Sequence, residues 1–251
     1  MHIAAAAFAF APALAVGSFL NVVAARLPVH RSIVQPRSAC QSCHTELRWQ
    51  DNIPIVSYLT LRGRCRSCAA PFSLRYPLVE LATALLVAGC FLRYGLSGKA
   101  FVGAFFVAVL VVLSAIDAEH RILPDKIVLP SFVIVLIANI AIFPGQTLEW
   151  VLGALGASLF LFLALLAYPR GMGMGDVKLA LLLGAALGKA VSVGMMIGML
   201  SAVVLGGILM AQHGMAARKM AIPFGPFLAF GAVVAYFAGD AILDAYTSSF
   251  S

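Results

Sequence analysis

The feature of this sequence that most limits its possible folds is a series of long apolar runs. A helix needs about 20 predominantly apolar residues to cross the roughly 30 Å hydrocarbon core of a membrane. Eight runs of about this length occur, at residues 3–25, 78–96, 100–117, 127–143, 149–168, 177–189, 191–211 and 223–241. With 62% hydrophobic and only 11% charged residues, the chain is far from the composition of a soluble domain. The sequence therefore predicts an all-α polytopic membrane protein with about eight transmembrane helices.

The least certain boundary lies within residues 177–211, which are apolar throughout except at Gly188 and Lys189. One helix over this whole segment would be longer than a bilayer is thick. We therefore expect two spans with a break at Gly188–Lys189, although a protein of seven spans remains the alternative.

The Lys and Arg residues divide unequally between the two sets of loops that eight spans create. Three fall on one side: Arg93, Lys99 and Lys189. Fourteen fall on the other: Arg26, Arg31, Arg37, Arg48, Arg62, Arg64, Arg66, Arg75, Arg121, Lys126, Arg170, Lys178, Arg218 and Lys219. Basic loops stay in the cytoplasm, so the larger set predicts the cytoplasmic side. Because this rim accounts for the net charge of +7, we expect membrane lipids and no nucleic acid as partners.

The loops divide the chain into three parts. Residues 1–25 form the first transmembrane helix, which we expect to remain uncleaved because no Lys or Arg precedes its apolar run. Residues 26–77 form a polar cytoplasmic domain, and residues 78–251 form the remaining transmembrane core. A domain of about 50 residues buries too little apolar surface to be stable alone, so it needs a cross-link or a bound metal.

Two cysteine pairs in this loop could provide this stabilisation. Cys40 and Cys43 form one C-x-x-C motif, and Cys65 and Cys68 form a second. Two such motifs at this separation are typical of a closed, structural Zn²⁺ site with four thiolate ligands. Two disulfides or a redox role are the alternatives, but a cytoplasmic location disfavours disulfides.

Two aspartates at the ends of apolar runs are the candidate catalytic residues. Asp117 ends the third run, and Asp176 opens the sixth. Two spans lie between them, so both carboxylates are expected at the same membrane face. Carboxylates at a membrane boundary are costly to desolvate and mark functional sites. Two that share one site can hold a single proton and act together as acid and base. Separately, Asp176 could be a helix cap, and Asp117 could be a helix-end residue meeting cytoplasmic water.

Glycines precede the second aspartate in the run from Gly171 to Gly175. We expect Gly173 and Gly175 to let the backbone enter the helix irregularly and to let a substrate strand approach closely. Irregular backbone at membrane depth is tolerated where it lines a wet cavity.

Several motifs, in order along nearly the whole chain, resemble the type IV prepilin peptidases, also called prepilin leader peptidase/N-methyltransferases. The N-terminal part of this resemblance lies at residues 17–23, 26–28, 47–54, 57–64 and 75–80. The segment 117–125 resembles the first catalytic motif of that family, and 173–179 resembles its Gly-x-Gly-Asp motif. The segment 222–228 is similar to the start of its last span.

The resemblance implies an aspartic endopeptidase of the bacterial inner membrane, with Asp117 and Asp176 as its catalytic pair. It would remove a short basic leader from type IV prepilins and pseudopilins at the cytoplasmic face. The four cysteines are a feature of the bifunctional members of that family, which also methylate the new N-terminal amine with S-adenosylmethionine. The sequence contains no Gly-x-Gly-x-x-Gly loop after a strand, so the methyltransferase activity is implied by resemblance alone.

Other charged residues lie near the same expected membrane level. Glu80, Glu119 and Asp125 could attract a basic leader, or they could pair with this chain's own arginines. Lys178 follows Asp176 by two positions and should point away from it on a helix, so we interpret it as a membrane-surface anchor.

Two other classes of protein are alternatives. Membrane carboxylates and glycine-interrupted helices also occur in ion-coupled secondary transporters. Against transport, the acids lie near one surface and the sequence shows no paired repeats. An adaptor anchored in the membrane would not need eight spans.

Overall fold

The computed structural model describes residues 2–169, 172–214 and 222–249. Arg170, Arg218 and Lys219 of the basic set, and Gly171 of the glycine run, lie outside these residues. The chain divides into two compact units, Met1–Ile116 and Asp117–Ser251.

Helices account for nearly all regular structure in the described residues. They are α1 (His2–Arg26), α2 (Val56–Thr60), α3 (Arg75–Tyr94), α4 (Gly98–His120), α5 (Asp125–Ile142), α6 (Thr147–Ala167), α7 (Met174–Leu187), α8 (Val191–His213) and α9 (Gly225–Ser248). All except the five-residue α2 are long, and β pairing in the described part of the chain amounts to two isolated bridges. The predicted fold class is confirmed, and each predicted span coincides with one long helix to within a few residues, except at the C-terminal end of α9.

The long apolar segment from Met174 to His213 breaks into two helices at Gly188. By length and composition, seven described segments could cross a membrane, because these 40 residues count as one. Gly188 adopts φ +55°, a left-handed conformation that ends α7, and a 3₁₀ turn over Gly188–Ala190 leads into α8. The break predicted at Gly188–Lys189 is confirmed, and it leaves α7 as a short helix of 14 residues, about 21 Å long.

In the first unit, α1 packs closely against α3. A Cβ atom at Gly17 would lie 2.7 Å from the Cα of Glu80, so the two backbones approach where Gly17 has no side chain. Asn21, also buried, donates from Nδ2 to the carbonyl oxygen of Tyr76 at 3.0 Å. Arg75 donates from Nη2 to the carbonyl of Ala115 at 3.0 Å, tying α3 to α4.

In the second unit, glycines bring two pairs of helices into close contact. A Cβ at Gly184 of α7 would collide with the backbone of Gly153 and Ala154 in α6. At Gly198 of α8, a Cβ would lie 2.9 Å from the carbonyl oxygen of Phe227 in α9. Small residues at four-residue spacing allow membrane helices to approach in this way.

Replacing Gly184 by Ala is expected to destabilise the second unit. The added methyl meets backbone atoms that cannot rotate away, and overpacking of this kind costs about 3 kcal/mol. A thermal unfolding scan in detergent should show a lower midpoint for this variant. Gly206→Ala in α8 is the matched control, because no heavy atom lies within 4 Å of its Cβ position. Equal midpoints for the two variants would contradict the packing described here.

Candidate active site and metal centre

Asp117 is buried, with a relative exposure of 6%, near the C-terminal end of α4. Its Oδ2 accepts a hydrogen bond of 2.9 Å from the backbone N–H of Gly225, the first residue of α9. The first N–H groups of a helix have no partner within the helix, and its N-terminus carries a partial positive charge. Asp117 therefore occupies the N-terminus of α9, which stabilises a negative charge on its carboxylate.

Asp176 is also buried, at 9% exposure, in the first turn of α7. Its Oδ2 accepts a hydrogen bond of 3.2 Å from the backbone N–H of Gly173, and its own N–H donates to the carbonyl of Gly173. The residue that caps α7 is Gly173, and Asp176 is the third helical residue folding back on it. Like Asp117, Asp176 sits at the positive end of a helix.

The two carboxylates lie within electrostatic range of each other in the second unit. They are close enough for the charge of Asp117 to act on Asp176, although 59 positions separate them in the sequence. Two spans, α5 and α6, lie between them along the chain, as the sequence predicted. Two buried acids within electrostatic range, each held by one backbone N–H, can share a proton and polarise a water molecule between them.

The two glycines before Asp176, Gly173 and Gly175, do not have the backbone role that the sequence predicted. Neither has a positive φ, and Gly173 is extended at φ −97°, ψ 156°, which any residue adopts. The expectation of an irregular helix entry is therefore wrong, because α7 begins regularly at Met174. Gly175 is needed for space instead: a Cβ there would lie 3.0 Å from Cβ of Leu123. A substrate contact at either glycine stays a prediction.

Asp125 and Lys178 form an ion pair with 2.7 Å between Nζ and Oδ2. The ammonium group of Lys178 joins the start of α5 to the first turns of α7, and its role as a membrane-surface anchor stays a prediction. Both side chains are partly exposed, so the pair contributes at most about 1 kcal/mol. It lies at the same end of α7 as Asp176.

The remaining acids lie in different surroundings. Glu80 is buried, and its Oε2 accepts a hydrogen bond of 2.8 Å from the backbone N–H of Ile55. Ile55 has φ +60°, an unusual conformation for a β-branched residue, at the start of α2. Glu80 therefore fastens the loop between α1 and α3 to α3. Glu119 lies 3.8 Å from Nε2 of His120. A role for either acid in binding a leader stays a prediction.

Gly225 is a site residue that the sequence did not single out. The run 222–228 was noted for its resemblance, but nothing local indicates that its glycine N–H reaches Asp117, 108 positions away. A Cβ at Gly225 would lie 2.8 Å from Oδ2 of Asp117. The one signal in the sequence that could have identified Gly225 was its residue type, since it is a glycine at the first position of a helix.

Replacing Gly225 by Ala is expected to displace the carboxylate of Asp117. The methyl group would occupy space that Oδ2 now fills, so peptidase activity should fall by about 10²-fold through misplacement of one acid. Cleavage of a prepilin peptide measures the effect. Gly173→Ala is the control beside the other acid, since its Cβ would meet nothing nearer than 3.8 Å. Equal activity in both variants would contradict the role assigned to Gly225.

The four cysteines of the polar segment 26–77 converge in the first unit. Their sulfur atoms all lie within 4.8 Å of one another, with 3.7 Å between Cys40 and Cys68 and 4.0 Å between Cys43 and Cys65. Tetrahedral Zn²⁺ with bonds of about 2.3 Å separates its sulfur ligands by about 3.8 Å. The donor set and its spacing therefore fit one such ion.

Each cysteine pair is built as the same turn. The N–H of His44 donates to the carbonyl of Cys40, and the N–H of Ala69 donates to that of Cys65. His44 and Ala69 both have positive φ, at 55° and 57°. An isolated β-bridge closes each turn, Ala39 with Glu46 and Arg64 with Pro71. The two motifs are therefore a short structural repeat, which the sequence analysis did not recognise.

The electrostatics of the thiols also suit a cation. Hydrogen bonds from the side chain and backbone of Thr45 lower the pKa of Cys43 to about 6. The backbone of Ala70 favours the thiolate of Cys68, but the three neighbouring cysteine side chains and burial together outweigh it and raise the pKa of Cys68 to about 12. Four thiolates so close together repel one another, and a divalent cation removes that repulsion. In the described chain all five cysteines are unpaired thiols, so disulfides do not link these pairs.

Fold and sites together define a multi-pass α-helical membrane protein with a buried pair of acids and a four-cysteine module. Residues 12–94 match the family described as Bacterial Peptidase A24 N-terminal domain, and residues 104–211 match the Type IV leader peptidase family. The chain belongs to the type IV leader peptidase family.

Curated relatives carry the name prepilin leader peptidase/N-methyltransferase. One from Bacillus subtilis is 35% identical over 93% of this chain and 94% of its own length. Another from Pseudomonas aeruginosa is 37% identical over 93% and 90%. A third from Myxococcus xanthus is 42% identical over 72% of this chain and 56% of its own length. No solved structure matches the chain.

Proposed function

We propose that this protein is a membrane aspartic endopeptidase that removes the leader peptide of type IV prepilins and pseudopilins. The observation that carries the proposal is the buried pair Asp117 and Asp176, each fixed at the N-terminus of a helix. Membership of the family and the names of the relatives support the substrate class. Nothing in these comparisons supports an ion-coupled transporter.

The acids would divide the work of hydrolysis between them. One ionised carboxylate takes a proton from a water molecule while the protonated partner donates to the peptide carbonyl oxygen. The water oxygen bonds to the carbonyl carbon, and the C–N bond then breaks as the leaving nitrogen receives a proton. Water is consumed, and no covalent enzyme intermediate forms. Burial strengthens each of these electrostatic interactions.

The expected topology places this chemistry where a prepilin would present its cleavage site. A basic leader in the cytoplasm followed by an apolar helix puts the scissile bond at the cytoplasmic membrane surface. The unequal charge of the loops supports the same orientation for this chain in the bacterial inner membrane. Glu119 lies two positions after Asp117, and Asp125 pairs with Lys178, two positions after Asp176. Both acids could attract the basic leader.

The relatives' names support a second activity, methylation of the new N-terminal amine. S-adenosylmethionine would supply the methyl group, which would pass from its sulfonium sulfur to the unprotonated amine nitrogen as the S–C bond breaks, leaving S-adenosylhomocysteine. The four cysteines would hold Zn²⁺ as a closed structural site without an open position. The cytoplasmic domain 26–77 would then be folded around that ion.

One experiment tests both activities. The purified protein is incubated with a prepilin and S-adenosylmethionine carrying a deuterated methyl group, and the products are analysed by mass spectrometry. We expect a new N-terminus at the leader junction and a mass increase from one labelled methyl. An intact prepilin under conditions in which the protein is folded would refute the peptidase. Cleavage without label would refute the methyltransferase only.

A further inference from the structure

The second unit contains a cavity of about 570 Å³ between α6 and α8. Six of its lining residues form an apolar wall: Leu152, Gly156, Phe160, Met195, Met196 and Met199. Gly156 leaves the groove open, since no heavy atom lies within 4 Å of its Cβ position. Methionine side chains are flexible and adapt to the shape of an apolar ligand.

One end of this groove is polar. Glu149, Lys189 and Ser192 line it there, and Oε1 of Glu149 accepts a hydrogen bond of 3.2 Å from the backbone N–H of Lys189. Its carboxylate retains further acceptor capacity, because two oxygens offer about four lone-pair sites. A carboxylate residue and an exposed lysine therefore both line the polar end of an apolar groove.

The neighbouring tryptophan indicates that this mouth lies at headgroup depth. Trp150 is buried and packs over Gly188, where a Cβ would lie 3.0 Å from its ring. Its indole N–H has no hydrogen-bond partner among the described residues. Tryptophan is enriched at membrane–water interfaces, where its ring is apolar and its N–H meets polar groups.

The groove is separate from the acid pair. Asp176 lies in the first turn of α7, whereas Gly188 follows its last residue. The helix between them has 14 residues, about 21 Å. A ligand with its polar end at Glu149 and Lys189 would thus lie toward the opposite face of the membrane from Asp176.

We propose that this groove binds one phospholipid whose zwitterionic headgroup carries a primary amine. The phosphate pairs with Lys189, the ammonium donates to Glu149, and one acyl chain lies along the apolar wall. From Glu149 to Phe160, α6 rises about 16 Å, a length suited to most of an acyl chain. A headgroup with quaternary ammonium has no N–H to donate, and an anionic headgroup lacks a cation for Glu149.

The volume of the groove favours a lipid chain over a transmembrane helix. A helix about 10 Å across, laid along the same 16 Å, would displace about 1,250 Å³. That exceeds the cavity volume. A substrate helix would therefore contact the groove without filling it.

Native mass spectrometry of the full chain in mild detergent tests the proposal. The protein is equilibrated with phosphatidylethanolamine, phosphatidylcholine or phosphatidylglycerol, and the retained lipid is counted. We expect one phosphatidylethanolamine per chain and about tenfold weaker retention of the other two, since each lacks one charge-assisted contact. Lys189→Gln should lower phosphatidylethanolamine retention by a similar factor. Equal retention of all three lipids would overturn the headgroup assignment.

A second experiment fills the groove with a large side chain. Gly156→Phe should abolish lipid retention, because its ring occupies the acyl site without striking the backbone. Gly206→Phe is the matched control on α8, with an equally open Cβ position outside the lining residues, and it should retain lipid. If Gly156→Phe is not monodisperse, Met196→Trp replaces it. Undiminished retention in the filled variant, or crosslinking of Met196 to a prepilin rather than to lipid, would overturn the site.

Discussion

Replacing Asp117 or Asp176 by Asn is expected to lower prepilin cleavage by about 10⁴-fold or more, because the pair loses the group that moves a proton. The fold should survive, since an amide oxygen can still accept the hydrogen bonds from Gly225 and Gly173. The two single variants and the double variant should be similarly inactive, since residues that act as one unit are not additive. Conversion of a co-expressed prepilin, followed by gel shift and mass spectrometry, measures the loss.

Asp240→Asn provides the control for this experiment. Asp240 is an exposed acid further along α9, the helix whose N-terminus holds Asp117. Its replacement removes the same charge without touching the buried pair, so cleavage should continue at the original rate. Complete processing of the prepilin by both buried-acid variants would end the peptidase proposal.

Removing Zn²⁺ from the four-cysteine module is expected to unfold residues 26–77. The module has two short turns and little buried apolar surface, whereas structural Zn²⁺ contributes about 10–16 kcal/mol to folding of such units. A strong chelator, or Cys40→Ser, should release the metal and expose this loop to proteases. Metal analysis and limited proteolysis measure the two effects separately.

Cys90→Ala is the matched control for metal loss. Cys90 is a buried thiol within α3 and lies outside the cluster, so this variant should keep one Zn²⁺ per chain. A wild-type chain that is purified with residues 26–77 protected from proteases and no bound metal would contradict the structural role proposed for Zn²⁺.

The sequence predicted those features that depend on local pattern. Apolar runs of membrane length gave the long helices, and Gly188 with Lys189 marked the break between α7 and α8. Counting two spans between Asp117 and Asp176 predicted that both acids lie at one membrane face, and the structure has them within electrostatic range of each other. These inferences succeed because hydrocarbon thickness and backbone hydrogen bonding permit few alternatives.

Features that depend on distant contacts were missed. The N–H of Gly225 reaches Asp117 across 108 positions, and Lys178 pairs with Asp125 across 53. No local pattern indicates which loop packs over which helix end. Gly175 shows a different limit: a glycine in a motif signals either backbone freedom or lack of space, and only the structure shows that Gly175 is needed for space.

The hydrogen bond from Gly225 to Asp117 has a consequence for biosynthesis. Translation proceeds from the amino end, so Asp117 leaves the ribosome long before the segment that fixes its side chain. Until α9 is inserted, Asp117 lacks one donor that orients it and the helix end that favours its charge. A nascent chain would therefore carry both acids without a working arrangement, and proteolytic competence would appear only when synthesis is nearly complete.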